Sequence, residues 1–346
     1  MTDQLSRKIF VDACYGRPTP HTPIWLNRQA GRYMPEYHQV KADMSSLAFF
    51  KNPEKAAQAT LDAQRILGVD AAIMFADLLP IMEPMGLRLD YLAGEGPVFD
   101  NPVRTEKDVD ALVNAPAEEA TPYIAHTVKN ILQELPTEIA LIGFAGAPYT
   151  LASYAVEGKG SRNYTYVKKM MYDAPELWDR LMNKLVDQLV SYLKLQIASG
   201  VDAVQLFDSW VGGLSVYDFR TYVVPHLIRM RQMLGDDVPV IYFGTGNHHL
   251  LADVKAAGFD MIAFDWRTPL AETWDNLGIT AVQGNLDPIV LWAEPNIIRR
   301  QAQEILDSVA DRAGHVFNLG HGIIPETPVD HVKALVDFVH EYTQKN

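Results

Sequence analysis

The chain has 346 residues, of which 48% are hydrophobic, enough to build a large core. Its formal net charge of −13 argues against a nucleic-acid partner, because phosphate binding draws on clustered Lys and Arg. No apolar run approaches the ~18 residues that a membrane span requires, and Met1 to Arg17 lacks the apolar stretch of a secretory signal. The single cysteine, Cys14, allows no intrachain disulfide, and such sparing use fits a reducing cytoplasm. Cys14 also lies outside any metal-ligand spacing and reads as a small apolar residue. An overall acidic field opposes the approach of a polyanion, so a polyanionic substrate would require a local basic cluster.

In chain order, short apolar runs that end in polar residues alternate with helical patterns. The first run, Pro23–Gln29, leads into Arg28 and Arg32, and the helical pattern Pro53–Leu67 follows it. The second run, Asp70–Asp77, opens a long connection from Leu78 to Glu138. That connection contains Gly94, Gly96 and several prolines, and is expected to form an extra loop or short hairpin before a helix over Pro122–Leu135. A third run, Ala140–Pro148, precedes the clearest helix, Pro175–Ser199. This helix has Leu177, Leu181, Leu185, Leu189 and Leu193 at spacing four, Pro175 near its start and Gly200 after its end. The remaining runs are Asp202–Ser209, Val238–Thr245, Met261–Trp266, Ala281–Pro288 and His315–Gly322. Helical patterns over Val216–Leu234, Asn296–Ala310 and Val329–Thr343 accompany them.

Most of these eight runs are almost continuously apolar, as suits strands covered on both faces. Eight βα units predict a closed, distorted (β/α)8 TIM barrel in the α/β class. No linker divides the chain, so residues 1–346 are expected to form one domain. The competing open doubly wound sheet would carry GxGxxG after its first strand, and Arg-Gln-Ala-Gly-Arg stands there instead.

Parallel barrels place their active sites at the C-terminal ends of the strands. The run ends here supply Arg28 and Arg32, Asp77, Tyr149 and Tyr154, Asp208 and Ser209, Thr245, Asp265, Asn285 and Asp287, and Asn318 and His321. Asp208, Asp265 and Asp287 are expected to be mainly structural, capping helices or closing turns. Arg28 and Arg32 are four residues apart; guanidinium forks at a barrel mouth suit carboxylates, although an ion pair such as Arg32 with Glu36 is the plainer alternative. Between Arg28 and Lys55 the cations Arg28, Arg32, Lys41, Lys51 and Lys55 outnumber Glu36, Asp43 and Glu54, which makes the segment locally basic. Asp77 ends an apolar run and so needs donors or a cation. It either pairs with Arg28 or Arg32, or accepts N–H bonds from a substrate and stabilises positive charge formed during reaction. His321 stands between two glycines that would let a ligand approach closely; a hydrogen-bonded structural histidine is its plain alternative. His248 and His249 complete no zinc spacing, and no metal is expected.

Several blocks resemble the signatures of uroporphyrinogen decarboxylases. They are Pro23-Ile-Trp-Leu-Asn-Arg-Gln-Ala-Gly-Arg-Tyr-Met-Pro-Glu-Tyr37, Gly143 to Tyr154 followed by Glu157-Gly158, Gln205 to Gly213, Gln283 to Pro288 and Phe317 to Gly322. They run in order along almost the whole chain. The resemblance implies a distorted (β/α)8 barrel that forms a homodimer with facing clefts. It implies conversion of uroporphyrinogen III to coproporphyrinogen III in haem and porphyrin biosynthesis, by loss of carbon dioxide from four acetate side chains, without metal or organic cofactor. Residue by residue, Arg28, Arg32, Asp77, Tyr154, Ser209 and His321 fall on the family's cleft residues, and Asp77 matches the aspartate that takes the pyrrole N–H groups. Asn27, Tyr149, Lys41 and Gly244-Thr-Gly-Asn-His-His249 depart from the usual family residues. Lys41 stands where arginine is common and offers a point charge instead of a fork.

On this reading Asp77 stays ionised beneath a cationic ring, Arg28, Arg32 and Lys41 hold carboxylates, and Tyr154, Ser209 and His321 orient them. Arg28, an arginine-held water, Tyr154 and His321 are all open as the proton donor. Two rivals share the barrel: a corrinoid- or methyl-cofactor-dependent methyltransferase, and a non-catalytic tetrapyrrole binder. The first generally needs a zinc set of His and Cys that Cys14 alone cannot complete. The second has no need of Asp77 together with Tyr154 and His321.

Overall fold

The computed structural model describes residues 8–92, 95–310 and 312–345; residues 1–7 of the polar N-terminal segment, and Gly94, lie outside them. Nine strands are present among the described residues: β1 (Ala71–Ile73), β2 (Leu89–Leu92), β3 (Gly96–Phe99), β4 (Ala140–Gly146), β5 (Ala203–Asp208), β6 (Val240–Gly244), β7 (Met261–Ala263), β8 (Val282–Gln283) and β9 (His315–Val316). Seven of them form one parallel sheet in the order β1-β4-β5-β6-β7-β8-β9, with helices between successive members.

The first expected strand, Pro23–Gln29, closes this sheet through very few residues. Ile24 makes a parallel bridge to Phe317. Phe317 N donates to Pro23 O at 2.8 Å, Trp25 N to Phe317 O at 3.4 Å, and Asp70 N to Ile24 O at 2.9 Å. The segment therefore sits between β9 and β1 and joins the two sheet edges, giving the eight-part distorted barrel. After Leu26 the chain leaves the strand direction in a turn, which brings the arginines to the mouth.

Alternation along the strands separates two apolar layers. Ile142 and Phe144 of β4 pack with Ile241 and Phe243 of β6. Leu141 and Ala145 pack on the other face with Leu206, Tyr242 and the leucine stripe of the helix Pro175–Ser199. A buried polar chain crosses the interior: Trp25 Nε1 donates to Gln283 Oε1 at 2.9 Å, and Gln283 Nε2 to Gln205 Oε1 at 3.1 Å. Trp25 and Gln283 each give a donor to the next side-chain oxygen, which ties three barrel elements in register, while the Gln205 Nε2 at the end of the chain is buried without a partner among the described residues.

The helices Pro53–Leu67, Pro175–Ser199 and Val329–Thr343 have the expected bounds. Asn52 caps the first through Lys55 N at 3.0 Å, and Gly68 ends it in the left-handed region at φ 71°. The pattern over Val216–Leu234 is broken at Val223 into Val216–Tyr222 and Val224–Leu234, because Pro225 starts a new helix. The helix Pro148–Glu157, which lies outside the expected helical patterns, follows the third run and carries Tyr154. The long connection does hold a hairpin: β2 and β3 pair antiparallel with Leu89 opposite Phe99.

Candidate active site

A cleft of about 1210 Å³ opens at the C-terminal ends of the barrel strands. Its walls bring together all seven residues singled out from the sequence: Arg28, Arg32, Lys41, Asp77, Tyr154, Ser209 and His321. Common ligand pockets run to ~300–1,000 Å³, so the space suits a large ligand.

The floor is aromatic. Phe144, Phe207 and Phe243 come from three neighbouring strands and meet edge to face, with centroids 5.6 and 5.8 Å apart. One wall is Tyr154 against Trp210, with centroids 4.0 Å apart. Opposite, Tyr91 on the hairpin packs on Phe50, which packs on Phe75 two residues before Asp77.

The Arg-Gln-Ala-Gly-Arg turn works as a unit. Gln29 is fully buried and pins it: its Oε1 accepts from Leu26 N at 3.1 Å, its Nε2 donates to Ala71 O at 3.1 Å, and its carbonyl accepts from Tyr33 Oη at 2.7 Å. Arg28 lies in the left-handed region at φ 62°, a conformation that typically costs a non-glycine residue ~1–3 kcal/mol. Gly31 is required for the same turn, since a Cβ there would lie 2.9 Å from the Arg28 carbonyl. Neither the Arg28 nor the Arg32 guanidinium forms an ion pair or hydrogen bond among the described residues, and the Lys41 ammonium forms none either. The alternative pairing of Arg32 with Glu36 is absent among them. These three cations are therefore available to an anionic ligand.

Asp77 is recessed beneath them. Its Oδ1 accepts from Leu79 N at 3.1 Å, and it forms no ion pair with either arginine, so the plain pairing does not occur. Burial raises its pKa above the usual aspartate value; the Tyr91 hydroxyl, the Leu79 and Leu78 amides and the Arg28 charge pull the other way and only partly offset it. The Tyr91 hydroxyl is buried beside Asp77. Burial, and then the Asp77 charge, push the Tyr154 phenol up, so it stays protonated. His321 is held neutral: burial lowers its pKa first, then the charges of Arg28 and Arg267, against a weaker pull from Asp265.

The glycines beside His321 leave room for other parts of the protein. A Cβ on Gly322 would come 2.7 Å from Arg28 Cγ and 2.8 Å from Arg28 Nε, and one on Gly320 would overlap the Trp266 backbone. Gly322 is thus the shelf on which the Arg28 side chain lies.

The residues expected to be structural are so. Asp208 is buried and accepts from Thr150 Oγ1 at 2.7 Å and Tyr242 Oη at 2.8 Å, and burial raises its pKa to about 6. Asp265 accepts from Gly246 N and Arg267, and Asp287 caps Ile289 N at 2.9 Å. Tyr149 is buried behind the wall, and Asn27 donates from Nδ2 to Leu319 O at 3.1 Å. His249 bonds the Leu214 carbonyl at 2.8 Å, away from the cleft. Sequence reasoning missed Tyr91 and Trp210 as cleft residues. The short alternating stretch Leu89–Leu92 before Gly96 carried the signal for a hairpin but not for its direction.

The sequence matches the family model described as uroporphyrinogen decarboxylase (URO-D) over residues 5–342. The uroporphyrinogen decarboxylase of Chloroflexus aurantiacus is 48% identical over 342 residues, covering 97% of this chain and 96% of the relative. The chain belongs to the uroporphyrinogen decarboxylase family. The enzyme of that name from Carboxydothermus hydrogenoformans is 48% identical over 334 residues, covering 96% of this chain and 95% of its own length. That from Geotalea daltonii is 45% identical over 337 residues, covering 97% and 99%. Among solved structures, a methyltransferase from Methanosarcina mazei superposes with a TM-score of 0.82 at 19% identity, covering 98% of this chain and 99% of its own. At that identity it speaks for the fold alone, and it bears out the distorted barrel.

Proposed function

We propose that the chain decarboxylates uroporphyrinogen III to coproporphyrinogen III, turning four acetate side chains into methyl groups in tetrapyrrole biosynthesis. One observation carries the reading of the site: a recessed carboxylate without an ion-pair partner faces an aromatic cleft rimmed by three unpaired cations.

The substrate has eight carboxylates, and Arg28, Arg32 and Lys41 hold some of them. Protonation of the pyrrole α-carbon beside an acetate makes that ring cationic. The bond to the carboxyl carbon then breaks, carbon dioxide leaves, and the electron pair flows into the ring to give an exocyclic methylene. A second proton on the methylene carbon, with loss of the first from the α-carbon, restores the pyrrole and leaves a methyl group. The ring itself acts as electron sink, the part that a cofactor often takes in difficult decarboxylations. Asp77 stabilises the cationic stage through the central N–H groups. Tyr154 and Ser209 orient carboxylates at one wall. His321, neutral and close to Arg28, stands with Arg28, Tyr154 and a water held by an arginine as the alternative proton donors.

The same reading makes the enzyme a one-domain cytoplasmic homodimer that needs no cofactor. Exposed Tyr217, Ile289 and Trp292 offer apolar surface for a second copy, and sedimentation of the purified chain checks this. A methyltransferase site of zinc with His and Cys finds no support here, because the sole cysteine, Cys14, is buried in the helix Ile9–Cys14 and is not among the residues that line the cleft. The deciding experiment is incubation with uroporphyrinogen III under anaerobic conditions. Stepwise appearance of seven-, six-, five- and four-carboxylate products is expected, and recovery of unchanged substrate in a binding-competent preparation would leave only a tetrapyrrole binder.

A further inference from the structure

We propose that His21, Asp70 and His340 form a binding site for one zinc-class divalent ion at the end of the barrel opposite the cleft. Asp70 directly precedes β1, and His21 precedes the closing segment at Pro23, so both lie at the N-terminal ends of barrel strands. His340 comes from the helix Val329–Thr343. The decarboxylation described above uses none of the three.

The donor set is two imidazole nitrogens and a carboxylate, the ligand chemistry of three-residue zinc sites. One ligand atom from each residue lies within 4.8 Å of the others. His21 Nε2 is 3.1 Å from Asp70 Oδ1, and His340 Nε2 is 2.9 Å from Asp70 Oδ2. With metal–ligand bonds of ~2.0–2.2 Å, tetrahedral donors lie roughly 3.3 Å apart. The two contacts to Asp70 need to open by a few tenths of an ångström, and the imidazoles need to draw together. The ring centroids are already 4.7 Å apart.

The surroundings hold the ligands in place. Asp70 Oδ2 accepts from Ile24 N at 2.8 Å, an outer hydrogen bond of the kind that orients a ligating carboxylate. Thr22 N donates to Thr343 Oγ1 at 2.9 Å, and Lys345 N to Pro20 O at 2.9 Å. These bonds tie the segment bearing His21 to the helix end bearing His340, so little ordering remains when an ion enters. The His21 and His340 side chains keep 19% and 28% of their surface, which leaves a fourth position open to water. Asp337 near His340 adds negative potential. Without an ion, each imidazole donates its Nε2 proton to Asp70; the ion takes the place of both protons. An ion here clamps the beginning of the barrel to its last helix and adds stability without entering the reaction.

The test uses the full chain, stripped with a chelator and titrated with zinc sulfate while bound metal is measured by elemental analysis after gel filtration. One equivalent per chain is expected, with a rise in Tm of roughly 3–6 °C at a hundredfold excess over Kd. His340→Ala and His21→Gln are each expected to weaken binding at least tenfold. His21→Gln keeps a donor for Asp70, so it separates loss of a ligand from loss of the fold. A His248→Ala, His249→Ala double variant is expected to bind zinc as the parent does. No zinc retained at micromolar concentration, or equal retention by His21→Gln, would show a hydrogen-bonded clasp only and overturn the proposal. Decarboxylation by the stripped enzyme is read separately, so neither result disturbs the reading of the cleft.

Discussion

Replacing Asp77 by asparagine removes one charge and keeps the shape. The amide oxygen of the new side chain still accepts from Leu79 N, so the local turn survives. A full negative charge about 5 Å from the centre of a transient pyrrole cation, at an effective dielectric constant near 20, contributes roughly 3 kcal/mol. That corresponds to a rate loss on the order of 10²–10³, the range seen when a preorganised stabilising group is removed. The loss should fall on kcat, because the cation exists only after protonation and the bound substrate is neutral at its ring nitrogens. Stability should move the opposite way. Burial raises the Asp77 pKa in the folded chain, so the associated stability is full below the unfolded value of ~3.9 and is lost as pH rises through the folded pKa. Asp77→Asn abolishes that loss, and its Tm at pH 7.5 is expected to equal or exceed the parent's. Single-turnover decarboxylation, followed by fluorescence of the oxidised porphyrins, gives the rate, and calorimetry gives Tm. A kcat within about threefold of the parent, or a loss confined to KM, would refute the stabilising role.

Three further outcomes rest on neighbouring residues. Arg28→Lys keeps a cation but loses the fork, so it should retain binding and lose most turnover; unchanged kinetics would remove Arg28 from the chemistry. Gly322→Ala places a methyl group against the Arg28 side chain, and a displacement near 1 Å should lower kcat/KM by about 10² at near-parental Tm; normal kinetics would show that Arg28 has another resting place. Tyr91→Phe removes a hydroxyl that holds the Asp77 pKa down, so the acidic limb of kcat/KM against pH should move to higher pH; a limb that stays in place denies that Tyr91 acts on Asp77.

Much of this architecture was legible in the chain itself. The leucines at spacing four between Pro175 and Gly200 allow one helix only, and that helix has the expected bounds. The parallel core strands were visible because both faces are buried, but β7, β8 and β9 are shorter than their apolar runs. Their ends are apolar because they stay buried beyond the regular pairing: Phe264 packs in the helix-facing layer, and Leu286 and Leu319 meet in an isolated parallel bridge. Pro23–Gln29 likewise reads as a strand although only Ile24 bridges, because Trp25 and Leu26 are buried by packing around the closure. The cleft cations could be named from their residue types. Their lack of partners could not, since nearness in sequence left a pairing of Arg32 with Glu36 open and only the folded turn decides against it. The purpose of Gly322 was also hidden: its contact is Arg28, close to the other end of the chain, and such a contact appears only once the ends of the barrel meet.

That meeting explains how an acidic protein collects an octacarboxylate. Closing the barrel between Ile24 and Phe317 brings Gly322 beneath Arg28, and the pinned turn at Gln29 carries Arg32 to the same mouth. Many acidic residues are engaged with the other cations, as in the pairs of Lys51 with Glu83, Arg229 with Asp187 and Arg312 with Asp275. Asp90 and Glu95 also border the cleft, but they are exposed to solvent on the hairpin, where their charges are well screened. Within the barrel mouth the pattern is positive at the rim and negative at the recessed Asp77. A low-dielectric aromatic floor lets that local pattern outweigh the distant net charge, which salt screens within ~8–10 Å. Carboxylates are therefore attracted at the rim, while the recessed negative group is reserved for a ring that becomes cationic only during reaction. The floor of three phenylalanines has no titratable side chain, so the protons that the reaction moves are handled at the walls, where Arg28, Tyr154 and His321 stand.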